Sequence, residues 1–257
     1  MPLLSSIKNH RLLWAMLILP AGLAHAQPTP MSEYNPVMLN LATLFDFDAL
    51  RGPVKTFETS MTDASDNTLF KAAGAFDQQG CIEHLKTEDA QNNINYNYKR
   101  VGNKLISQVN TQDFIPLNTE CLPQSHTQSG STMSFTYNDA KLISQINSQP
   151  NDTLVALHQY NTNQLLADVR FFISGVTISR SHVTYIDEKN KPYDYAFEQT
   201  YFNKPGFFIK RECKYDQYGN PTSCILTQSN DKDFKEVSWV HNVNYQVTWF
   251  GEHGSSE

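Results

Sequence analysis

Short runs in which apolar and polar residues alternate dominate the chain. The stretch Val243-Asn244-Tyr245-Gln246-Val247-Thr248-Trp249 places Val243, Tyr245, Val247 and Trp249 on one face of an extended backbone, the period-two signature of a half-buried strand. Runs rich in β-branched and aromatic residues also span Val54 to Met61, Lys104 to Thr111, Leu165 to Ile173, Ser179 to Ile186 and Val237 to Phe250. Helical periodicity is confined to Pro36 to Leu44, where Val37, Leu41 and Leu44 share a face, so the pattern predicts one short helix packed on the first hairpin. The polar stretches Gln124 to Thr132 and Asn147 to Asp152 predict exposed loops.

Between the strands an aromatic residue recurs four positions before a turn residue. Two copies read Phe76-Asp77-Gln78-Gln79-Gly80 and Tyr215-Asp216-Gln217-Tyr218-Gly219, and Tyr98 stands in the same relation to Gly102. An Asp closes such a turn through its side chain, and a Gly three residues later accepts the positive φ of a type I turn followed by a bulge. Looser copies start at Tyr137, Tyr160 and Tyr185. The spacing predicts a mainly β fold of successive antiparallel hairpins forming one long curved sheet, with a two-sheet β-sandwich as the alternative. The domain reading is a cleaved signal at 1–26, a leader and short helix at 27–44, the hairpin-repeat domain at 45–250 and a disordered tail at 251–257.

The amino terminus has a different pattern. Lys8, His10 and Arg11 precede the apolar run Leu12 to Leu23, and Ala24-His25-Ala26 follows, the n-region, h-region and A-x-A order of a secretory signal. The run is broken by Pro20 and falls short of the ~20 apolar residues that a membrane span needs. Cleavage after Ala26 predicts a mature chain that starts at Gln27, has no transmembrane span, and works in the periplasm or outside the cell. That cleavage removes Lys8 and Arg11 but no acid, lowering the 20 basic residues to 18 against 26 acidic ones and the net charge from −6 to −8. Such a surface does not favour DNA, RNA or anionic lipid as a sequence-independent partner.

Export changes the reading of the cysteines as well. Cys81, Cys121, Cys213 and Cys224 form an even set in an oxidising compartment, and none belongs to a C-x-x-C pair, which favours two disulfides over a zinc site. A hairpin folded symmetrically between Tyr218 and Gly219 sets Cys213 opposite Cys224, at the separation a disulfide requires. Cys81 then pairs with Cys121 by elimination.

The string Phe45-Asp46-Phe47-Asp48-Ala49-Leu50-Arg51-Gly52-Pro53-Val54-Lys55, the Gly80-Cys81 step, and the segment from Cys213-Lys214-Tyr215-Asp216 to Asn220-Pro221-Thr222-Ser223-Cys224 together resemble the YnfC family of enterobacterial envelope lipoproteins. The turns are also similar to the tyrosine-aspartate repeats of Rhs-type proteins. The YnfC resemblance covers islands between Phe45 and Tyr245. It implies an envelope location and a hairpin architecture, and it carries over no catalytic residues. A lipoprotein takes its diacylglycerol on a cysteine directly after the signal, whereas Gln27 follows Ala26 here. The expectation is a released periplasmic relative, with membrane attachment as the alternative.

Candidate chemistry is sparse. Asp46 and Asp48 stand two apart and would share a face on a strand as paired acids, although their place before Arg51-Gly52-Pro53 favours a structural turn leading into the sheet. The mature histidines, His84, His126, His158, His182, His241 and His253, show no metal-binding spacing, and no nucleophile elbow or phosphate loop is present. No catalytic, cofactor-binding or metal residue is assigned, and no cofactor is expected. Tyr193, Tyr195, Tyr201, Phe202, Phe207 and Phe208 cluster around Pro205-Gly206 and form the candidate binding surface. The functional expectation is a non-catalytic envelope module that binds another envelope protein or a surface polymer. The alternative is a periplasmic hydrolase of envelope glycan or peptide.

Overall fold

The computed structural model describes residues 33–251. The signal expected at 1–26, the leader up to residue 32 and the tail from residue 252 lie outside the described residues. Helix α1 (Pro36–Phe45) leads into β1 (Val54–Thr62), β2 (Thr68–Phe76), β3 (Ile82–Asp89), β4 (Ile94–Val101), β5 (Lys104–Ser107), β6 (Phe114–Pro116), β7 (Ser125–Gln128) and β8 (Ser131–Tyr137). The sheet continues through β9 (Ile143–Ser148), β10 (Thr153–Tyr160), β11 (Leu166–Ile173), β12 (Val176–Asp187), β13 (Lys191–Tyr201), β14 (Lys204–Tyr215), β15 (Pro221–Ser229) and β16 (Val237–Trp249).

Each strand pairs antiparallel with its neighbour in sequence, and β1 pairs with β16, so the sheet is a closed barrel rather than a long open curved sheet or a β-sandwich. The closing register runs from Val54 opposite Trp249 to Thr62 opposite Asn242. Open and closed sheets share the same local hairpin signals, and what separates them is this one pairing between the two ends of the domain. Closure removes both edge strands, whose unpaired N–H and C=O groups invite aggregation.

One end of the barrel is organised by a single kind of turn. Asp77, Asn118, Asn138, Asn161 and Asp216 each accept, on one side-chain oxygen, the N–H groups two and four residues ahead. The residue three ahead, Gly80, Cys121, Lys141, Gln164 or Gly219, takes the positive φ. Gly102 also lies at a hairpin tip, but that tip is the two-residue loop Gly102-Asn103, and Tyr98 sits fully buried inside β4. The stretch Gln124 to Thr132, expected to be a loop, is instead β7 turning through Ser129-Gly130 into β8; Thr127 and Thr132 bond across that hairpin.

Helix α1 closes this end as a plug, packed on the first hairpin's inner face together with the strands around it. Asn35 caps it by accepting from Val37 N–H, and its Nδ2 donates to Gly80 O at 2.7 Å. The fully buried Asn40 donates to Lys141 O at 2.8 Å and accepts from Ile143 N–H at 2.8 Å. The segment after the helix is held the same way, since Tyr193 Oη donates to Ala49 O and Asn220 both accepts from and donates to the Arg51 backbone. The helix buries Val37, Met38, Leu41 and Phe45 against inward residues such as Leu85, Tyr98, Leu105 and Ile115. Phe47 stacks on Phe57 at 4.9 Å, and Gly74 opposite leaves the space that the Phe57 ring fills.

Both disulfides sit at the plugged end. Cys81–Cys121 ties the β2–β3 turn to the β6–β7 loop, and Cys213–Cys224 links directly opposed residues of β14 and β15. The outer wall carries Glu58, Lys71, Glu88, Lys99, Lys210, Glu212 and Asn242 along the strands. A barrel set in lipid shows an apolar band in that position, whereas here these polar and charged residues alternate with exposed Ile225 and Val240. Among the described residues no helix is long and apolar enough to cross a membrane.

Candidate functional site

A barrel of sixteen strands is too wide for its own side chains to fill, and one short helix fills only the closed end. Above the plug lies an open cavity of about 560 Å³, within the range of small-molecule sites. Its wall is apolar over most of its area, with Leu39 and Phe45 from the helix, Met61 and Phe70 from β1 and β2, and Val183, Phe197, Leu226 and Val243 from the far side.

The polar groups of the cavity gather around Arg211. Along β14, Phe207, Ile209, Arg211 and Cys213 alternate onto one face, which puts a guanidinium in an otherwise apolar inward row. Its Nη1 and Nη2 donate to the two carboxylate oxygens of Asp48 at 2.6 and 2.9 Å. Tyr245 bridges the pair, accepting from Arg211 and donating to Asp48, and Tyr195 lies 3.4 Å from Nη1. Burial raises the Asp48 pKa, but the Arg211 charge and the hydrogen bonds from Arg211 and Tyr245 outweigh it and hold the carboxyl below its ordinary value. Arg211 is 3% exposed, whereas the Asp48 side chain is 25% open, toward the cavity.

Three buried polar atoms on residues lining this space have no hydrogen-bond partner among the described residues. They are Tyr34 Oη, Arg211 Nε and Thr59 Oγ1, the last on a residue only 2% exposed. Thr59 lies opposite Tyr245 on one side and Ala72 on the other, and Ala72 is followed across the sheet by Thr87. The result is a smooth stretch of wall whose one unmet polar atom is a hydroxyl. Asp46 caps the helix in a left-handed conformation (φ 55°) and also borders the cavity. It is accessible yet surrounded by the wall, and that enclosure, with the nearby Asp89 charge, raises its pKa.

The sequence-derived candidates are distributed as follows. Asp46 and Asp48 are not paired acids on a strand, because one caps α1 and the other belongs to Arg211. Tyr193 is buried and bound to the segment after the helix, Tyr195 lines the cavity, and Phe207 stacks on Phe197 at 5.9 Å. Phe208 lies on the other face, opposite Glu198 and Ser229, while Tyr201 and Phe202 stand exposed at the open end. Reading from the sequence missed Arg211 and Thr59. The available signal was parity, since Arg211 shares a face with Cys213 and Phe207.

Among curated relatives, the UPF0257 lipoprotein YnfC of Salmonella paratyphi B is 23% identical over 255 residues, covering 95% of this chain and 100% of the relative. The protein of the same name from Salmonella typhi aligns with the same identity and coverage. Of solved structures, a porin-like protein from Bacteroides uniformis matches with a TM-score of 0.43 at 11% identity, over 76% of this chain and 96% of its own. A LolA superfamily protein from Nitrosomonas europaea matches at 0.26 and 11% identity, over 81% and 90%. Both likenesses are loose, and the barrel rests on the strand pairing of this chain itself. The sequence model of UPF0257, an uncharacterised protein family, matches residues 7–250, and the chain belongs to that family.

Proposed function

We propose that the chain is a non-catalytic binding protein of the cell envelope that holds an amphiphilic small molecule inside its barrel. The observation that carries this reading is the open, mostly apolar cavity whose lining residues include buried donors unmet among the described residues, Arg211 Nε and Thr59 Oγ1 among them. Apolar walls favour an acyl or ring body. Unmet donors favour an oxygen acceptor on the ligand, since a buried donor without a partner is costly. Asp48 neutralises Arg211, and Asp46 and Asp89 add negative charge to the lining, so the ligand head is uncharged rather than anionic.

The test is fluorescence of the uncharged probe N-phenyl-1-naphthylamine with the purified chain, followed by displacement with a monoacylglycerol. Saturable enhancement reversed by the glyceride, and lost in Leu226→Trp, is expected. Absence of saturable binding refutes the reading.

The envelope location is supported by the lipoprotein names of the relatives and by the signal pattern. Amino-terminal sequencing of the exported chain is expected to read from Gln27, and retention of residues 1–26 or an added acyl mass refutes that start. The recurrent Asx turns support reading the hairpins as repeats of the Rhs kind, which concerns architecture rather than chemistry.

One observation favours the second reading, a hydrolase of envelope glycan or peptide. Asp46 is a carboxyl of raised pKa bordering the cavity beside Asp89, as a general acid is. Its neighbours are already engaged, Asp48 by Arg211 and Asp89 by Gln91 and Asn92, which leaves no free base beside it. Turnover of an envelope glycan or peptide that is lost in Asp46→Asn would establish the hydrolase.

A further inference from the structure

The open end of the barrel is chemically lopsided. Its β1–β2, β5–β6, β9–β10 and β15–β16 connections carry Asp63 and Asp66, Asp113, Asp152, and Asp231 and Asp233 respectively, Asp89 ends β3, and the β7–β8 tip Ser129-Gly130 carries no charge. The neighbouring β11–β12 and β13–β14 tips, Ser174-Gly175 and Phe202-Asn203, carry no acid. Around them Ile173, Val176, Tyr201 and Phe202 are 61%, 60%, 48% and 67% exposed. Register joins the two tips into one patch, because Phe171 lies opposite Ser179 and Ser179 opposite Tyr201.

Phe202 breaks two local rules at once. Both Phe202 (φ 49°) and Asn203 (φ 62°) are left-handed, as a type I′ turn requires. That first position suits Asn, Asp or Gly, and a bulky residue there is strained. The ring gains no burial in return. Strain kept without compensation from packing marks a functional position.

Charge beside the patch points to its occupant. Arg170 and Arg180 face each other across β11 and β12 and share one carboxylate, Asp168, at 3.0 and 2.6 Å, leaving a net positive charge, and Lys204 lies opposite Tyr201. Aromatic and aliphatic tips flanked by Arg and Lys, on a chain whose net charge is −6, match the interfacial layer of an anionic bilayer. We propose that the β11–β12 and β13–β14 tips dock the mouth of the barrel onto an anionic lipid bilayer surface. This holds whatever the cavity contains, so it stands or falls separately from the cavity reading.

Flotation of the purified full chain with vesicles of phosphatidylethanolamine and phosphatidylglycerol tests it. Binding that weakens with added salt and falls roughly tenfold or more in Phe202→Asn and in Ile173→Ser is expected. Phe202→Asn suits the turn better than the native residue, so its thermal midpoint should hold or rise, and lost binding cannot be put down to lost fold. Failure of the wild-type chain to float, or equal flotation of Phe202→Asn, overturns the proposal. So does concentration-dependent dimerisation abolished by Phe202→Asn, which would assign the patch to a second copy.

Discussion

Replacing Thr59 with Val separates a ligand-binding hydroxyl from a structural one. The side chain is 2% exposed, its Oγ1 has no partner among the described residues, and it faces the cavity. Valine keeps the β-branch and nearly the shape, so packing against Ala72 and Tyr245 persists. An unmet buried hydroxyl costs ~1–3 kcal/mol, so the ligand-free variant should gain about 1 kcal/mol, which is ~2–4 °C in Tm for a domain of this size. Bound ligand reverses the sign. Loss of one neutral hydrogen bond of ~1 kcal/mol weakens binding about fivefold. Calorimetric melting without ligand, paired with monoacylglycerol displacement of the naphthylamine probe, measures both terms. A lower ligand-free Tm would show that the hydroxyl is satisfied within the fold, and unchanged affinity would show that it does not touch the ligand. Either result refutes the reasoning.

Asp48→Asn strands the Arg211 charge inside the wall and should cost about 3 kcal/mol or more in urea denaturation, with much of the loss recovered in Asp48→Asn/Arg211→Met; equal stability of the single and double variants would contradict this. Burial, outweighing a hydrogen bond with Ile143, holds His158 down to about 4, below its ordinary 6.5. The folded value lies below the unfolded one, so stability is complete above ~pH 6.5 and is lost as pH falls toward 4, by roughly 3 kcal/mol from this residue. His158→Phe should flatten that slope in urea midpoints taken across the window, leaving the smaller contributions of His126 and His241, which burial shifts the same way. Removing Cys81–Cys121, which closes 40 residues, should cost about 4 kcal/mol against about 3 for Cys213–Cys224, which closes 11; the reverse order in denaturation midpoints would refute the loop-length argument.

What could be read from the sequence was local chemistry. Asp77 and Asp216 announce their turns because one carboxylate and one glycine define the geometry within five residues, and Asn138 and Asn161 do the same with Lys141 and Gln164 taking the positive φ. Asn118 makes the same turn unseen, since Leu117 precedes it in place of an aromatic and Cys121 takes the glycine position. Tyr98 shows the converse, a matching interval with no shared turn. The opposition of Cys213 and Cys224 follows from the same local geometry, and the bulge lies between Lys214 and Tyr215, past the cysteine. Closure of β1 on β16 and the meeting of Asp48 with Arg211, 163 residues apart, have no local trace.

The position of that ion pair bears on why the barrel is hollow at one end. A buried pair is a poor stabiliser, because desolvation of both charges offsets their attraction, and apolar residues of similar volume usually do as well or better. At the plugged end the fold follows that rule, filling the space with Met38, Leu41, Leu85 and Ile115. Immediately above the plug it departs from it, placing Arg211 in an inward row with Ile209 and Phe207 and leaving Nε without a partner among the described residues. Stability alone would favour a longer helix or an apolar residue at position 211. The departure falls where the plug stops and the cavity begins, which is where a fixed dipole with a spare donor can orient a molecule entering from the open end. The same end carries the strained, exposed Phe202. Both breaches of packing logic therefore lie on the path from the mouth to the plug, and the closed end, with its stitched turns and two disulfides, holds that path in shape.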